Sequence, residues 1–344
     1  MTAALSGLLP DSARARVFPL FRELAEQLEL PRREEAGGLV IEFGSGEIGI
    51  KDADGGIALM LKAMTEARLY MLQQVVFARL DPLGPEARVR WAHVNAGTAP
   101  PNFTLGRVER ITRISPGFRR VRVTSPDLAR FATGGLHFRL LLPPLDREPV
   151  WPRIGADGRT VWPEKADALH RPVYTVRAID PASGWLDFDV FLHDGSRTTD
   201  WSAAATPGAR IGMMGGTGRE VPATDWIALF GDETAMPAVI RLIEALPPET
   251  RGRALVLTGD PADRQPVAVP EGVEFTWLTR GHTPGLVKEL GDLALPAADR
   301  FIWFAAERAE AEAARCILRD RRGLGRSETS VTTYWSAIRD HAAA

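Results

Sequence analysis

The residues with the most distinctive chemistry lie in the segment HRPVYTVR at positions 170–177. It offers the guanidinium of Arg171, the aromatic ring of Tyr174 and the hydroxyl of Thr175 within five positions. Arginine pairs with phosphate oxygens through parallel hydrogen bonds, and an aromatic ring packs on other flat rings. A ligand that carries both phosphate and a flat ring would use all three groups.

A flavin dinucleotide is such a ligand, since it needs a cation for its pyrophosphate, an aromatic ring against its isoalloxazine and a hydrogen-bonding group near the reactive nitrogen. In a regular strand, however, Arg171 and Thr175 lie on one face and Tyr174 on the other. Convergence on one ligand therefore requires a local bend, and Pro172 is the natural place for it. The same pattern also occurs in strands without a ligand, so a structural role stays open.

A second candidate is the segment GDET at positions 231–234, which follows the apolar strand WIALFG and opens a helix. Such a junction presents backbone N–H groups to a ligand in α/β sheets. Capping of the helix by Asp232 or Thr234 is the alternative interpretation.

The remaining pattern predicts a multidomain α+β protein with three domains. Residues 1–95 read as a small α+β domain, and the polar segment 96–103 reads as a linker. Short alternating segments in 104–222 predict an antiparallel β-barrel, with an aperiodic insert at about 146–169 expected beside it. In 223–344, apolar strands alternate with amphipathic helices, which predicts a parallel sheet with helices on both faces.

Composition excludes several classes of function. The formal charge of −2, without a basic stripe, argues against nucleic-acid binding. The single cysteine, Cys316, rules out an intrachain disulfide and a cysteine-held iron–sulfur cluster, so redox chemistry requires an organic cofactor. The six histidines are dispersed, which predicts no protein metal site. The absence of a long apolar segment predicts a cytoplasmic protein without membrane insertion.

The order of these segments resembles that of the siderophore-interacting proteins, a family of FAD-binding, ferredoxin-reductase-like ferric-siderophore reductases. The resemblance covers residues 104–336 and rests on R-x-x-Y-T, DFDVFLHDG, GDETAMPA and the final SVTTYW. The family form of the third segment is GDETALPA. Residues 1–95 resemble, more faintly, a small domain of uncharacterised function found with such reductases.

The resemblance implies that Arg171, Tyr174 and Thr175 hold FAD. It also implies that the loop after His193 cradles phosphate. Alignment on the family tryptophan puts Thr199 in the position of a phosphate-binding serine, with Thr198 beside it.

The resemblance further implies that a nicotinamide nucleotide or the flavin edge approaches Gly231, Asp232, Glu233 and Thr234. Tyr334 and Trp335 match the Y-W pair of the family, which points to aromatic rings that shield the flavin and are displaced by the nicotinamide. Packing within the core is the alternative for this pair.

Two segments depart from the family pattern. The loop HDGSRTTDW at 193–201 is one residue shorter and has Ser196 and Arg197 in place of Gly and Pro. A solvated loop without phosphate contacts is the alternative there. Ser336 stands where the family usually has a basic residue, so the cation expected beside an anionic siderophore is missing from that position.

The activity implied by the resemblance is hydride transfer from NADH or NADPH to FAD, followed by single-electron transfer to ferric iron in a siderophore. No side chain has to act as an acid, base or nucleophile, so the predicted residues position cofactors. Asp260 suits NADH and Arg264 suits NADPH, which leaves the donor open. Two alternatives are a reductase of another small electron acceptor and a non-enzymatic siderophore-binding or regulatory protein that has lost flavin.

Overall fold

The structure is a computed structural model that describes residues 3–10, 14–133, 135–218 and 221–337. The chain forms two compact units. Unit 1 comprises Met1–Phe103 and Pro143–Leu169, and unit 2 comprises Thr104–Leu142 and His170–Ala344.

Unit 1 contains a six-stranded antiparallel sheet in the order β2-β3-β4-β5-β1-β6, with two helices. Its elements are β1 (Ala3–Pro10), α1 (Arg14–Gln27), β2 (Arg32–Glu35), β3 (Gly38–Glu42), β4 (Gly46–Ala53), β5 (Gly56–Ala63), α2 (Glu66–Leu80) and β6 (Arg90–Trp91). Alternate strand residues such as Ile41, Ile48 and Leu61 are buried with Phe21 of α1 and Val76 of α2. This period of two places one sheet face against the helices.

The insert 143–169 belongs to unit 1, and its expected position beside the barrel stays a prediction. It contains the short hairpin β10 (Arg153–Ile154) and β11 (Thr160–Val161). The Tyr70 hydroxyl of α2 lies 2.8 Å from the Thr160 hydroxyl. The backbone of Ile154 also bonds Gly97 and Thr98. The insert therefore finds hydrogen-bond partners on α2 and on residues 97–98, which no periodicity in its sequence reveals.

Unit 2 begins with a seven-stranded sheet in the order β12-β9-β15-β7-β8-β14-β13. Its elements are β7 (Phe103–Ser115), β8 (Phe118–Thr124), α3 (Ala129–Ala132), β9 (His137–Leu141), β12 (Val173–Thr175), β13 (Ala178–Asp180), β14 (Trp185–Phe191), α4 (Arg197–Ala204) and β15 (Arg210–Thr217). The two edge strands, β12 and β13, are separated by only two residues of chain, so the sheet must curl round on itself. Phe138, Phe188 and Val121 fill the interior of this barrel.

The second half of unit 2 is a five-stranded parallel sheet in the order β18-β17-β16-β19-β20. Its elements are β16 (Trp226–Gly231), α5 (Met236–Glu244), β17 (Arg251–Thr258), β18 (Val273–Thr279), α6 (Leu286–Asp292), β19 (Arg300–Glu307), α7 (Arg308–Arg315), a π-helical turn (Cys316–Arg321) and β20 (Thr329–Trp335).

Both faces of this parallel sheet are covered by helices. Ile227 and Leu229 of β16 pack with residues of α5, whereas Ala228 and Phe230 pack with residues of α6 and α7. The mixed α+β architecture predicted from the sequence is therefore confirmed. Among the described residues, no helix has the length and apolar character needed to cross a lipid bilayer.

Candidate functional site

β12 carries two of the predicted cofactor residues on opposite sides. Its register with β9 pairs Tyr174 with Phe138 and Thr175 with His137. The Tyr174 ring lies 5.3 Å from the Phe188 ring, and its hydroxyl lies beside the Thr198 side chain. Thr175 is buried, and its side chain lies beside the Tyr334 hydroxyl. Because successive residues of a strand face opposite sides, Tyr174 and Thr175 contact different elements of the fold.

The segment after His193 is held by its own side chains. Ser196 caps α4, because its Oγ accepts a hydrogen bond from the Thr199 N–H at 3.2 Å. Thr199 Oγ1 in turn accepts from the His193 N–H at 3.3 Å. Thr198 is 2% exposed, and its Oγ1 lies 3.2 Å from His170 Nε2. The predicted loop is therefore an ordered helix start, with Thr198 facing inward.

Arg171 and Arg197 both have exposed guanidinium groups. Burial, followed by the positive charge of Arg197, lowers the pKa of His170, which shows that Arg197 lies near that imidazole. Arg171 is the next residue along the chain, and it is exposed. The N-terminus of α4 and the guanidinium of Arg197 thus lie near His170, the residue that precedes Arg171.

Tyr334 connects the C-terminal strand with the barrel. Its hydroxyl hydrogen-bonds His137 Nε2 and lies beside the Thr175 side chain. Its ring makes edge contacts with His137 at 5.4 Å and with Trp303 at 6.1 Å. Burial is the main reason that the pKa of Tyr334 is raised, so the phenol stays protonated.

Trp335 connects the same strand with the GDET turn. Its Nε1–H donates to Asp232 Oδ2 at 2.7 Å. The other carboxylate oxygen of Asp232 accepts from the Thr234 N–H at 3.0 Å, the Thr234 hydroxyl at 2.6 Å and the Ala235 N–H at 3.3 Å. Asp232 thus closes the turn that precedes α5, whose N-cap residue, Ala235, has no side-chain cap hydrogen bond. Because Asp232 is fully buried, its pKa is raised.

The remaining residues of the GDET turn, Gly231 and Glu233, are constrained in different ways. A Cβ on Gly231 would lie 2.7 Å from Val239 Cγ2, so glycine lets β16 and α5 approach closely. Glu233 is buried, and its carboxylate pairs with Arg280 at 2.7 and 3.2 Å. An arginine from the end of β18 is thereby held against the turn.

Two protein families match unit 2, one over the barrel and one over the parallel sheet. Residues 107–220 match the siderophore-interacting FAD-binding domain, and residues 224–337 match the siderophore-interacting protein domain. The NADPH-dependent ferric-chelate reductase of Escherichia coli K12 is 31% identical over 210 residues, which covers 58% of this chain and 80% of that protein. The chain belongs to the siderophore-interacting protein family.

Other members of the family show the same extent of similarity. The ferric vibriobactin reductase of Vibrio cholerae is 28% identical over 235 residues, covering 64% of this chain and 85% of that protein. The crystal structure of a siderophore utilization protein from T. fusca has 31% identity and a TM-score of 0.61, covering 72% of this chain and 99% of that chain.

In this siderophore-interacting protein, the predicted site residues form two groups of neighbouring side chains joined at β12. Tyr174 belongs with Thr198, and Thr175 belongs with Tyr334, Trp335 and Asp232. Arg171 and His193 have exposed side chains, and Arg171 has interactions outside these two groups.

Sequence reasoning missed His137, His170 and Arg280. A single histidine or arginine in a strand carries no spacing signal, and their roles follow only from register and tertiary contact. The one available signal was that His170 directly precedes Arg171 in the flavin-type segment.

The donor set of this site suits a flavin dinucleotide. Arg171, Arg197 and the start of α4 offer cations and backbone donors for a pyrophosphate. The half-buried ring of Tyr174 offers an aromatic surface, and Thr175 offers a hydroxyl.

Proposed function

We propose that this protein is an NAD(P)H-dependent, FAD-containing ferric-siderophore reductase that releases ferrous iron. The observation that carries the proposal is the position of the Tyr334 and Trp335 pair. Its two side chains contact Thr175 of the flavin-type strand and Asp232 of the GDET turn. The three segments proposed to bind cofactors therefore meet in one place.

FAD, when bound, accepts a hydride from a nicotinamide nucleotide and gives up electrons one at a time. In our proposal, Arg171 and Arg197 bind the pyrophosphate, Tyr174 lies against the flavin ring and Thr175 hydrogen-bonds its edge. Thr198 positions Tyr174 rather than contacting the ligand, because it is buried and lies beside that hydroxyl.

The remaining predicted residues act on the nicotinamide side. Gly231 to Thr234 form the turn that the nucleotide approaches, and Trp335 is held over that turn by Asp232. Thr199 and His193 shape the start of α4. No side chain is assigned a catalytic proton transfer, and ferric iron is the substrate. Reduction loosens its hard oxygen ligands and so releases the metal.

The surroundings of β17 and β18 favour NADPH as the donor. The Asp260 carboxylate accepts from the Ala262 N–H at 2.8 Å and so is used within its own turn. Arg264 donates to Thr279 Oγ1 at 2.8 Å, next to Arg280, whose guanidinium is paired with Glu233. Arg264 therefore provides the positive charge that a 2′-phosphate requires.

We assign residues 104–222 to FAD binding and 223–344 to nucleotide binding, with 96–103 as a linker from the domain formed by 1–95. We place the reaction in the cytoplasm, where reduced nicotinamide nucleotides are available. The electron acceptor is a ferric siderophore, a proposal supported by similarity to the ferric vibriobactin reductase of V. cholerae and the ferric-chelate reductase of E. coli.

FAD titration of the purified full-length protein tests the proposal. We expect saturable uptake of one FAD, followed by bleaching of its absorbance at about 450 nm when NADPH is added without oxygen. A protein that takes up no FAD would instead be a non-enzymatic binding protein. A protein that takes up FAD but reacts with neither NADPH nor NADH would also contradict the proposal.

A further inference from the structure

A pocket of about 290 Å³ borders the edge strand β20. Its polar lining consists of three guanidinium and three hydroxyl groups, from Arg315, Arg319, Arg326, Thr329, Ser330 and Thr332. The volume is close to the lower limit of about 300 Å³ for small-molecule sites, so a ligand here must be small.

The charges around this pocket have one sign. Of the residues that the structure describes, no aspartate or glutamate lines it. Arg315 is held in place because its Nη2 donates to the Val331 carbonyl and to Thr333 Oγ1, each at 3.3 Å. Arg319 is exposed and has no hydrogen bond or ion pair from its side chain within the described part of the chain. Converging cations of this kind produce a positive potential that attracts anions.

The pocket is separate from the residues assigned to cofactors. None of the residues proposed to hold FAD or the nicotinamide nucleotide lines it. The barrel contributes His137, whose imidazole contacts the Tyr334 hydroxyl on its other side. A ligand in the pocket would thus lie one side chain away from Tyr334.

We propose that this pocket binds a small polyanion whose carboxylate or phosphate oxygens pair with Arg315, Arg319 and Arg326. Guanidinium groups present forked donors that match such oxygens, and the hydroxyl groups of β20 supply additional donors. The site goes beyond the reductase proposal and does not require flavin. Two kinds of ligand share this chemistry: an anionic iron chelate, and an iron-free anion such as citrate or phosphate.

Isothermal titration calorimetry of the full-length protein, without flavin or nicotinamide nucleotide, tests this site. The probes are citrate, inorganic phosphate and gallium(III) citrate, a chelate that cannot be reduced. We expect saturable binding of one ligand. Preference for gallium citrate would identify a chelate site, and equal or tighter binding of the iron-free anions would identify a site for free anions.

Arg319→Gln should weaken binding by roughly tenfold, because one charge-assisted contact is lost. Arg319→Lys, which keeps the charge, should weaken it less. Arg321→Gln is the matched control, since Arg321 is exposed on the same π-helical turn but does not line the pocket.

Absence of saturable binding by all three probes would overturn the proposal. So would an equal loss of affinity in Arg319→Gln and Arg321→Gln, which would show that only net charge matters. Because no electron transfer occurs in this experiment, its failure leaves the reductase proposal standing, and failure of the reductase proposal leaves this site standing.

Discussion

Arg171 is the residue whose proposed role depends most directly on charge. Its side chain is exposed at the start of the segment that leads into β12. An exposed arginine contributes little to folding, but a guanidinium that pairs with pyrophosphate contributes strongly to binding.

We therefore predict that Arg171→Ala raises the dissociation constant for FAD by roughly tenfold or more. The free energy of unfolding should change by less than about 0.5 kcal/mol. Fluorescence titration with FAD and urea unfolding measure the two quantities. Arg110→Ala, at an exposed position of β7, is the matched control. Equal FAD affinity in the two variants would contradict the assignment of Arg171.

His137 makes the stability of the folded protein depend on pH. Burial, followed by the charge of Arg241, lowers the pKa of His137 from 6.5 to about 4. Between these values the unfolded chain binds a proton that the folded protein does not. The stability that comes from the neutral imidazole is complete above pH 6.5 and is lost as the pH falls towards 4.

Between these pH values, acidification should lower the free energy of unfolding of the unchanged protein by up to about 3 kcal/mol more than that of the His137→Gln variant. Urea unfolding of both proteins at a series of pH values between 7 and about 4 measures this difference. If the two free energies fall in parallel, the imidazole is not buried as the structure shows.

Elements with a clear hydrophobic period could be predicted from the sequence. The apolar runs of β16 to β19 and the spacing in α5 to α7 led to the correct parallel sheet. The insert 143–169 could not be placed, because it has neither the period of a helix nor that of a strand. It is held by contacts that are distant in sequence, such as the stacking of Arg159 on Phe77 of α2 at 4.3 Å and the backbone hydrogen bonds of Ile154 with Gly97 and Thr98.

We predict that Arg159→Ala loosens the insert. The substitution removes both this ring contact and the ion pair with Asp81, which should lower the local stability of the insert by about 1 kcal/mol. Hydrogen exchange of residues 153–161 should become faster. Arg147→Ala, which removes another exposed arginine of the insert, serves as the control. Unchanged exchange in Arg159→Ala would show that other contacts hold the hairpin.

At the scale of the whole molecule, the sequence order of the motifs indicated the family but not how the motifs meet. Asp232 and Trp335 are 103 residues apart, and His137 and Tyr334 are 197 residues apart. Contacts over such separations follow from the way the barrel and the parallel sheet pack within unit 2. Register and packing, which a single sequence does not display, therefore decide which predicted residues share a site.

The most direct test of the reductase account is the fate of the electrons in the FAD-loaded protein. After anaerobic reduction by one equivalent of NADPH, the protein is mixed with a ferric siderophore and a ferrous-specific chelator. The account predicts that the flavin absorbance at about 450 nm returns while about two ferrous ions appear per flavin. A flavin that stays reduced, with no ferrous iron formed, would contradict it.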